Sequence, residues 1–336
     1  MNPDLVLAIG VVLVFAFVDG VTGAATATAT LVASRAANPG PAVVLAVLFN
    51  LAGPFLLGTA VAGTIGAVVA LSGERLIPVI GAGAFGALTW TAITWRLAIP
   101  SSSSHALVGG LLGAALLDAG PGAINWAGPG GGGPVGVIGI LAALALTPVA
   151  ATFAGYLLER AALRSFARTS VRAAGPVRAA QYVTSAWLAA SHGANDTSKS
   201  AGLIATLLVA GGLSGSFVVS PPIILVSAVA LTLGTALGGW GIVHTIGRRI
   251  FPVKTVDGLV SQGSSAAVIF AASILGAPVS TNQIVASSIV GIGLARRRWH
   301  HVRWEVVRRN LMTWLTTIPA AGLIGAISLP LWRLLG

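Results

Sequence analysis

Apolar runs follow one another along the whole chain, at roughly 5–18, 41–71, 76–99, 105–117, 134–158, 200–213, 217–247, 265–276, 284–295 and 311–332. Several reach the ~20 residues that an α-helix needs to cross a hydrocarbon core, and the shorter ones suit half-helices or re-entrant segments. Of the 336 residues 55% are hydrophobic and only 8% are charged, which excludes an ordinary soluble enzyme. The pattern predicts an all-α polytopic membrane protein of about ten to twelve membrane elements, with no separate soluble domain. The first run has no basic stretch before it and no obvious cleavage site after it, so a signal peptide is not expected. The chain has no cysteine, which removes disulfides, thiol nucleophiles and Cys-based metal sites. A net charge of +11 would suggest nucleic acid in a soluble protein, but here the basic residues cluster in short loops between apolar runs. The expected partner is the lipid bilayer and not nucleic acid.

The chain also repeats itself. Asp19-Gly20 matches His192-Gly193 at an offset of 173, and Gly58-Thr59-Ala60 matches Gly234-Thr235-Ala236 at 176. Pro100 and the four serines after it match Pro278-Val279-Ser280-Thr281-Asn282 at 178. Three ordered matches at a nearly constant offset point to a first repeat over 1–158, a basic linker over 159–180 and a second repeat over 181–336. Equivalent loops differ in charge. The stretch 118–133 has no Lys or Arg, whereas its counterpart carries Arg296, Arg297, Arg298, Arg303, Arg308 and Arg309. Arg160, Arg164, Arg168, Arg172 and Arg178 precede the second motif, while only Asn2 and Asp4 precede the first. Arg248, Arg249 and Lys254 match a loop where Glu74 and Arg75 cancel, and Arg35 matches the uncharged Gly211-Gly212 region. Lys and Arg are retained on the cytoplasmic side, so the two repeats are expected to insert with inverted topology. Both termini then lie outside, and the 159–180 linker is cytoplasmic. Inverted repeats are typical of secondary transporters, whose site lies near the midplane between the halves. The bland alternative is a duplicated membrane scaffold that transports nothing.

Four polar stretches interrupt the apolar sequence: Asp19 to Thr30, Pro100 to His105, Ser191 to Ser200 and Pro278 to Gln283. Proline or glycine beside hydroxyl residues is what a broken helix needs, because the freed backbone groups must find a ligand or side-chain partners. An exposed helix N-terminus offers amide donors and partial positive charge to an oxyanion, and the serines after Pro100 add hydroxyls. Unwound carbonyls with Asn195 and Asp196 would suit a hard cation such as Na+. Ionisable residues at membrane depth normally face a cavity or pathway. Plainer readings stand beside these. Ser and Thr runs pack helices closely, Thr26, Thr28 and Thr30 above all. His105 could be a hydrogen-bonded core residue, and Lys199 could snorkel to an interface. Trp126, Trp299, Trp304 and Trp332 read as interfacial anchors, and His300 and His301 as part of a solvated basic face.

Gly193-Ala194-Asn195-Asp196, the stretch from Pro100 to Ala115 (PSSSSHALVGGLLGAA) and Pro278-Val279-Ser280-Thr281 together resemble the inorganic phosphate transporter (PiT) family over nearly the whole chain. The resemblance implies a secondary transporter that couples phosphate uptake to Na+ or H+. On that reading Ser102, Ser103, Ser104, His105, Asn195, Ser280, Thr281, Asn282 and Thr22 line the anion site. Asp19, Asp196, Thr26 and Lys199 serve the coupling ion. The family's first motif typically has Asn before the glycine, then Asn or His followed by Asp, and a further Asn. This chain has Asp19, Thr22, Gly23 and Thr26 there, so the carboxylate expected at 23 is missing and one has appeared a helical turn earlier. The fourth motif ends in Asn282-Gln283 where Thr-His is common. A phosphate site can be built from hydroxyls and helix N-termini, whereas a Na+ site needs anionic oxygen, so the moved carboxylate bears on the coupling ion and not on the anion.

Sulfate symport is the nearest alternative, since both anions use hydroxyl and amide donors and Gly23 leaves one acceptor fewer. An intramembrane enzyme acting on a phosphorylated lipid would need a nucleophile with a base, or a metal cluster. The eight acidic residues supply no such pattern. No cofactor and no metal site are expected beyond Na+ as a possible coupling ion. The resemblance also makes a homodimer plausible, and the expected location is a cell membrane.

Overall fold

A computed structural model describes residues 2–99, 101–128, 136–165, 174–238, 253–297, 300 and 302–335. Pro100, Arg168, Arg172, Arg248, Arg249, Arg298, Trp299 and His301, singled out above, lie outside these residues. The described residues form eleven α-helices and no strand. In chain order they are α1 (Pro3–Ala33), α2 (Pro39–Leu57), α3 (Val61–Gly66), α4 (Leu76–Arg96), α5 (Ser103–Ala119), α6 (Val137–Ser165), α7 (Ala174–Ala210), α8 (Pro221–Leu237), α9 (Thr255–Ile274), α10 (Thr281–Ala295) and α11 (Trp304–Arg333). Six helical stretches, built on α1, α2, α4, α5, α6 and α11, are long and apolar enough to cross a membrane, and α8 and α10 are shorter apolar helices. The chain is a multi-pass membrane protein. The 37-residue α7 is not among the six because its middle is polar. It is nonetheless the axis of the structure, buried without interruption from Leu188 to Leu207.

Two of the four expected breaks do not occur. α1 runs as one helix through Asp19 to Thr30, and α7 as one helix through Ser191 to Ser200. Several of their hydroxyls turn back onto the helix's own backbone instead of opening it: Thr22 Oγ1 donates to the Asp19 carbonyl at 3.0 Å and Ser198 Oγ to the Ala194 carbonyl at 2.6 Å. The glycines of these stretches serve close approach. A Cβ on Gly20 would strike the Leu231 carbonyl of α8, and one on Gly193 would strike Asn50 of α2. The two proline–serine segments do break the chain. α4 ends at Arg96 and α5 begins at Ser103, and α9 ends at Ile274 while α10 begins at Thr281.

Packing pairs match across the two halves. α1 packs on α8 as α7 packs on α2, and α1 packs on α4 as α7 packs on α9. α11 covers α5 and α4, as α6 covers α10 and α9, so the last long helix of each half lies against the other half. One register from the sequence needs correction. α2 closes on Gly58 at φ 83° and α8 closes on Gly238 at φ 67°, so Gly238, and not Gly234, is the equivalent of Gly58. Gly234 instead matches Gly53: a Cβ on Gly234 would meet the Phe17 carbonyl of α1, and one on Gly53 the Ala190 carbonyl of α7.

Candidate functional site

α1 and α7 pack together and carry a cluster of buried ionisable groups, Asp19, His192, Asp196 and Lys199. His192, Asp196 and Lys199 stand at spacings of four and three on α7, so a single helix face presents all three. Lys199 is 0% exposed. Its Nζ lies 2.8 Å from Asp196 Oδ1 and 3.2 Å from Asp19 Oδ2 of α1. It also donates toward Ser103 Oγ at 3.2 Å and Ser104 Oγ at 3.1 Å, at the start of α5. The side chain therefore turns inward and does not snorkel. His192 Nε2 lies 2.9 Å from Asp196 Oδ2, and its Nδ1 lies 2.9 Å from Asn50 Oδ1 of α2. Asn50 Nδ2 in turn donates to Thr235 Oγ1, which has the Gly20 and Leu231 carbonyls for its own proton. Both ring nitrogens thus face side-chain oxygens.

The missing carboxylate at Gly23 has a steric reason. A Cβ on Gly23 would run into the His192 ring. Glycine there admits the imidazole, and Asp19 supplies the carboxylate from one turn earlier. The sequence repeat pairs Asp19-Gly20 with His192-Gly193 but gives His192 no part in the site. The i, i+4 spacing of His192 and Asp196 is the signal that could have found it.

The starts of α5 and α10 meet. Ser104 Oγ donates to the Val279 carbonyl at 2.6 Å. Ser102 is the N-cap of α5: its Oγ accepts from the His105 backbone N–H and lies 2.6 Å from His105 Nδ1. Ser280 caps α10 by position, but its side chain makes no cap hydrogen bond, so the first-turn amides of α10 have no side-chain acceptor from that residue. Ser280, Thr281 and Asn282 are all buried. Asn195 is engaged with the break itself: its Nδ2 donates to Ser273 Oγ and the Ala277 carbonyl, and its Oδ1 accepts from the Val279 N–H. It holds the 275–280 segment in place. Thr26 Oγ1 donates to Asn282 Oδ1 at 2.8 Å and lies 3.3 Å from Thr281 Oγ1. By the offset of the repeat, Thr26 corresponds to Lys199, Ser103 to Thr281 and Ser104 to Asn282. Each long helix reaches from one half to the helix start of the other, with a hydroxyl on one side and an ammonium on the other. Thr22 is buried and spends its proton on its own helix.

The sequence pattern of the phosphate transporter family matches residues 19–325. The chain is 37% identical over 327 residues to a protein of Rhizobium meliloti (strain 1021), covering 97% of this chain and 95% of that one. It is 36% identical over 335 residues to one of Bacillus subtilis (strain 168), covering 98% of each. Both are described as a probable low-affinity inorganic phosphate transporter. Among solved structures it is similar to a sodium-dependent phosphate transporter, with a TM-score of 0.87 at 20% identity over 98% of this chain and 99% of that one, a likeness of fold. With the family's pattern covering the polar stretches of both long helices and both proline–serine segments, this chain belongs to the phosphate transporter family.

Proposed function

We propose that this protein is a secondary active symporter of inorganic phosphate, coupled to Na+ or H+. The observation that carries the reading is the meeting of two helix starts, α5 and α10, at the Ser104–Val279 contact. Helix N-termini bring amide donors and partial positive charge to one place, which suits an oxyanion. Ser102, Ser103, Ser104, His105, Ser280, Thr281 and Asn282 surround it with further polar groups, and Asn195 sets the 275–280 segment. The names of the relatives favour phosphate as that oxyanion. Asp19 and Asp196 carry the coupling charge beside it. The repeats 1–158 and 181–336 insert in opposite directions, with both termini outside and the 159–180 linker cytoplasmic, and the anion sits at the midplane between them.

The test is uptake of labelled phosphate into proteoliposomes under an inward Na+ gradient, an inward H+ gradient and no gradient, with unlabelled sulfate as competitor. Gradient-driven phosphate accumulation that sulfate displaces only weakly is expected. No uptake under any gradient refutes the proposal, and displacement by sulfate at a lower concentration than by unlabelled phosphate makes sulfate the substrate.

A further inference from the structure

The four oxygens around Lys199 Nζ form a set that a hard metal cation would take: one oxygen from each of two carboxylates, Asp19 and Asp196, and the hydroxyls of Ser103 and Ser104. They come from three helices, α1, α7 and α5, so the site is assembled by the fold and is not a run of neighbouring acids. Its centre is filled by the chain's own ammonium, at 2.8–3.2 Å from all four. An ammonium has three protons, so four oxygens already exceed what it can bind one by one. We propose that Lys199 is a built-in cation that takes the place of sodium between the two aspartates, and that phosphate transport by this protein is therefore independent of Na+.

Three observations make displacement of Lys199 by Na+ unfavourable. α7 is buried on every side from Leu188 to Leu207, so an expelled ammonium has no water to enter without the whole helix moving. The ring of His192 holds the second oxygen of Asp196, so that carboxylate is already engaged at both atoms. The repeat twin of Lys199 is Thr26, which makes the equivalent crossing to Thr281 and Asn282 with a neutral hydroxyl. The crossing itself therefore needs no charge, and the charge at 199 has the two carboxylates as its reason. No other charged side chain among the described residues pairs with this group: α1 contributes Asp19, α7 contributes His192, Asp196 and Lys199, and α2 and α5 contribute only Asn50 and the two serines. Of the two coupling ions left open above, this assigns the proton. The assignment rests on the symport reading, whereas the occupancy of the site by Lys199 does not.

Two measurements separate those claims. In the first, the thermal unfolding midpoint of the purified protein in detergent is followed as choline chloride is replaced by NaCl at constant ionic strength. A ligand that binds the folded state raises the midpoint. The wild type is expected to show the same midpoint in both salts, and Lys199→Thr, which copies the twin position, to gain a saturable stabilisation by Na+. A midpoint of the wild type that rises with Na+ overturns the proposal, and so does a folded Lys199→Thr that ignores Na+. Should Lys199→Thr fail to fold, the wild-type titration decides alone. In the second, phosphate uptake driven by an inward H+ gradient is compared in Na+ and in choline. Equal rates are expected, and a loss of about tenfold in choline overturns the proposal. Absence of uptake in either salt refutes the symport reading, and the salt titration then decides whether Lys199 fills the cation site.

Discussion

Replacing Lys199 by Met keeps the length of the side chain and removes the one ammonium that joins two buried carboxylates. Taking one partner from a buried pair costs about 3–5 kcal/mol, because the remaining charge keeps its desolvation penalty. At roughly 2–4 °C per kcal/mol, Lys199→Met should lower the unfolding midpoint by on the order of 10 °C. Asp19→Asn alone leaves Lys199 with Asp196 and the two serines, so its cost should be nearer ~1–3 kcal/mol. Independent effects would make the double variant worse than either single one. The geometry gives the opposite sign. In Lys199→Met the carboxylate of Asp19 has lost its cation, while Asp196 still has His192 at 2.9 Å. Neutralising Asp19 in that background removes an unpaired buried charge, so the double variant should be more stable than Lys199→Met, with a coupling of ~1–3 kcal/mol. Tryptophan fluorescence of the detergent-solubilised protein at a fixed scan rate reads all four midpoints. A double variant that falls below Lys199→Met by the full cost of Asp19→Asn would refute the three-way arrangement.

Gly20→Ala and Gly193→Ala each push a methyl group into a neighbouring backbone and should cost about 1–3 kcal/mol, whereas Gly10→Ala, with open space around it, should gain ~0.5–1 kcal/mol; thermal midpoints in one detergent check the contrast. Ser104→Ala removes the donor to Val279 and one oxygen from Lys199, and should lower phosphate uptake several-fold while costing only ~1 kcal/mol of stability; uptake unchanged would exclude this contact from the transport step. Arg296→Gln leaves the fully buried Glu159 and Asp257 without their shared guanidinium and should cost ~3–5 kcal/mol, read as a lower midpoint in the same assay. Asp118→Asn should cost only ~0–1 kcal/mol there, because Arg75 and Arg333 are 57% and 48% exposed and return to water.

The helical class and the two proline–serine breaks were legible in the sequence, since each rests on local signals: run length and helix breakers. Two kinds of feature were not. The glycine- and threonine-rich stretch from Asp19 to Thr30 reads as a break because its residues can satisfy an opened backbone. The same residues also suit a closed helix in contact with another backbone, and only the neighbour decides which occurs: Leu231 against Gly20 decides here. The role of Gly23 was illegible for a related reason. Its space is taken by a side chain from a helix some 170 residues away in sequence, His192, and no spacing rule connects them. Asn195 stands out in the sequence, but its amide is directed to backbone groups that exist only once the 275–280 segment has left the helix.

Between the two halves reach is kept and charge is exchanged, and the ends of α5 and α10 make the same point as Thr26 and Lys199. Asp118 lies in the last turn of α5, where the carbonyl end of the helix carries partial negative charge and disfavours an anion. It is held there by two guanidiniums, Arg75 at 2.7 Å and Arg333 at 2.6 Å. By the offset of the repeat its equivalent is Arg296 at the C-cap of α10, a cation where the helix end favours one, and it gathers two acids, Glu159 at 2.8 Å and Asp257. In each half the last turn of the short helix is tied to the first turn of the preceding helix or loop and to the long helix that packs on it. Only the sign of each partner is reversed. A residue count treats Arg296 as a free loop charge, yet its charge is spent inside the protein. Without Arg296, the expectation of opposite insertion rests on the other loop charges: Arg297, Arg298, Arg303, Arg308 and Arg309, the run from Arg160 to Arg178, Arg248, Arg249 and Lys254, and Arg35. The same exchange holds around the aspartates: one long helix crosses to its partner half with a hydroxyl, the other with an ammonium, and Asp19 and Asp196 both pair with the ammonium.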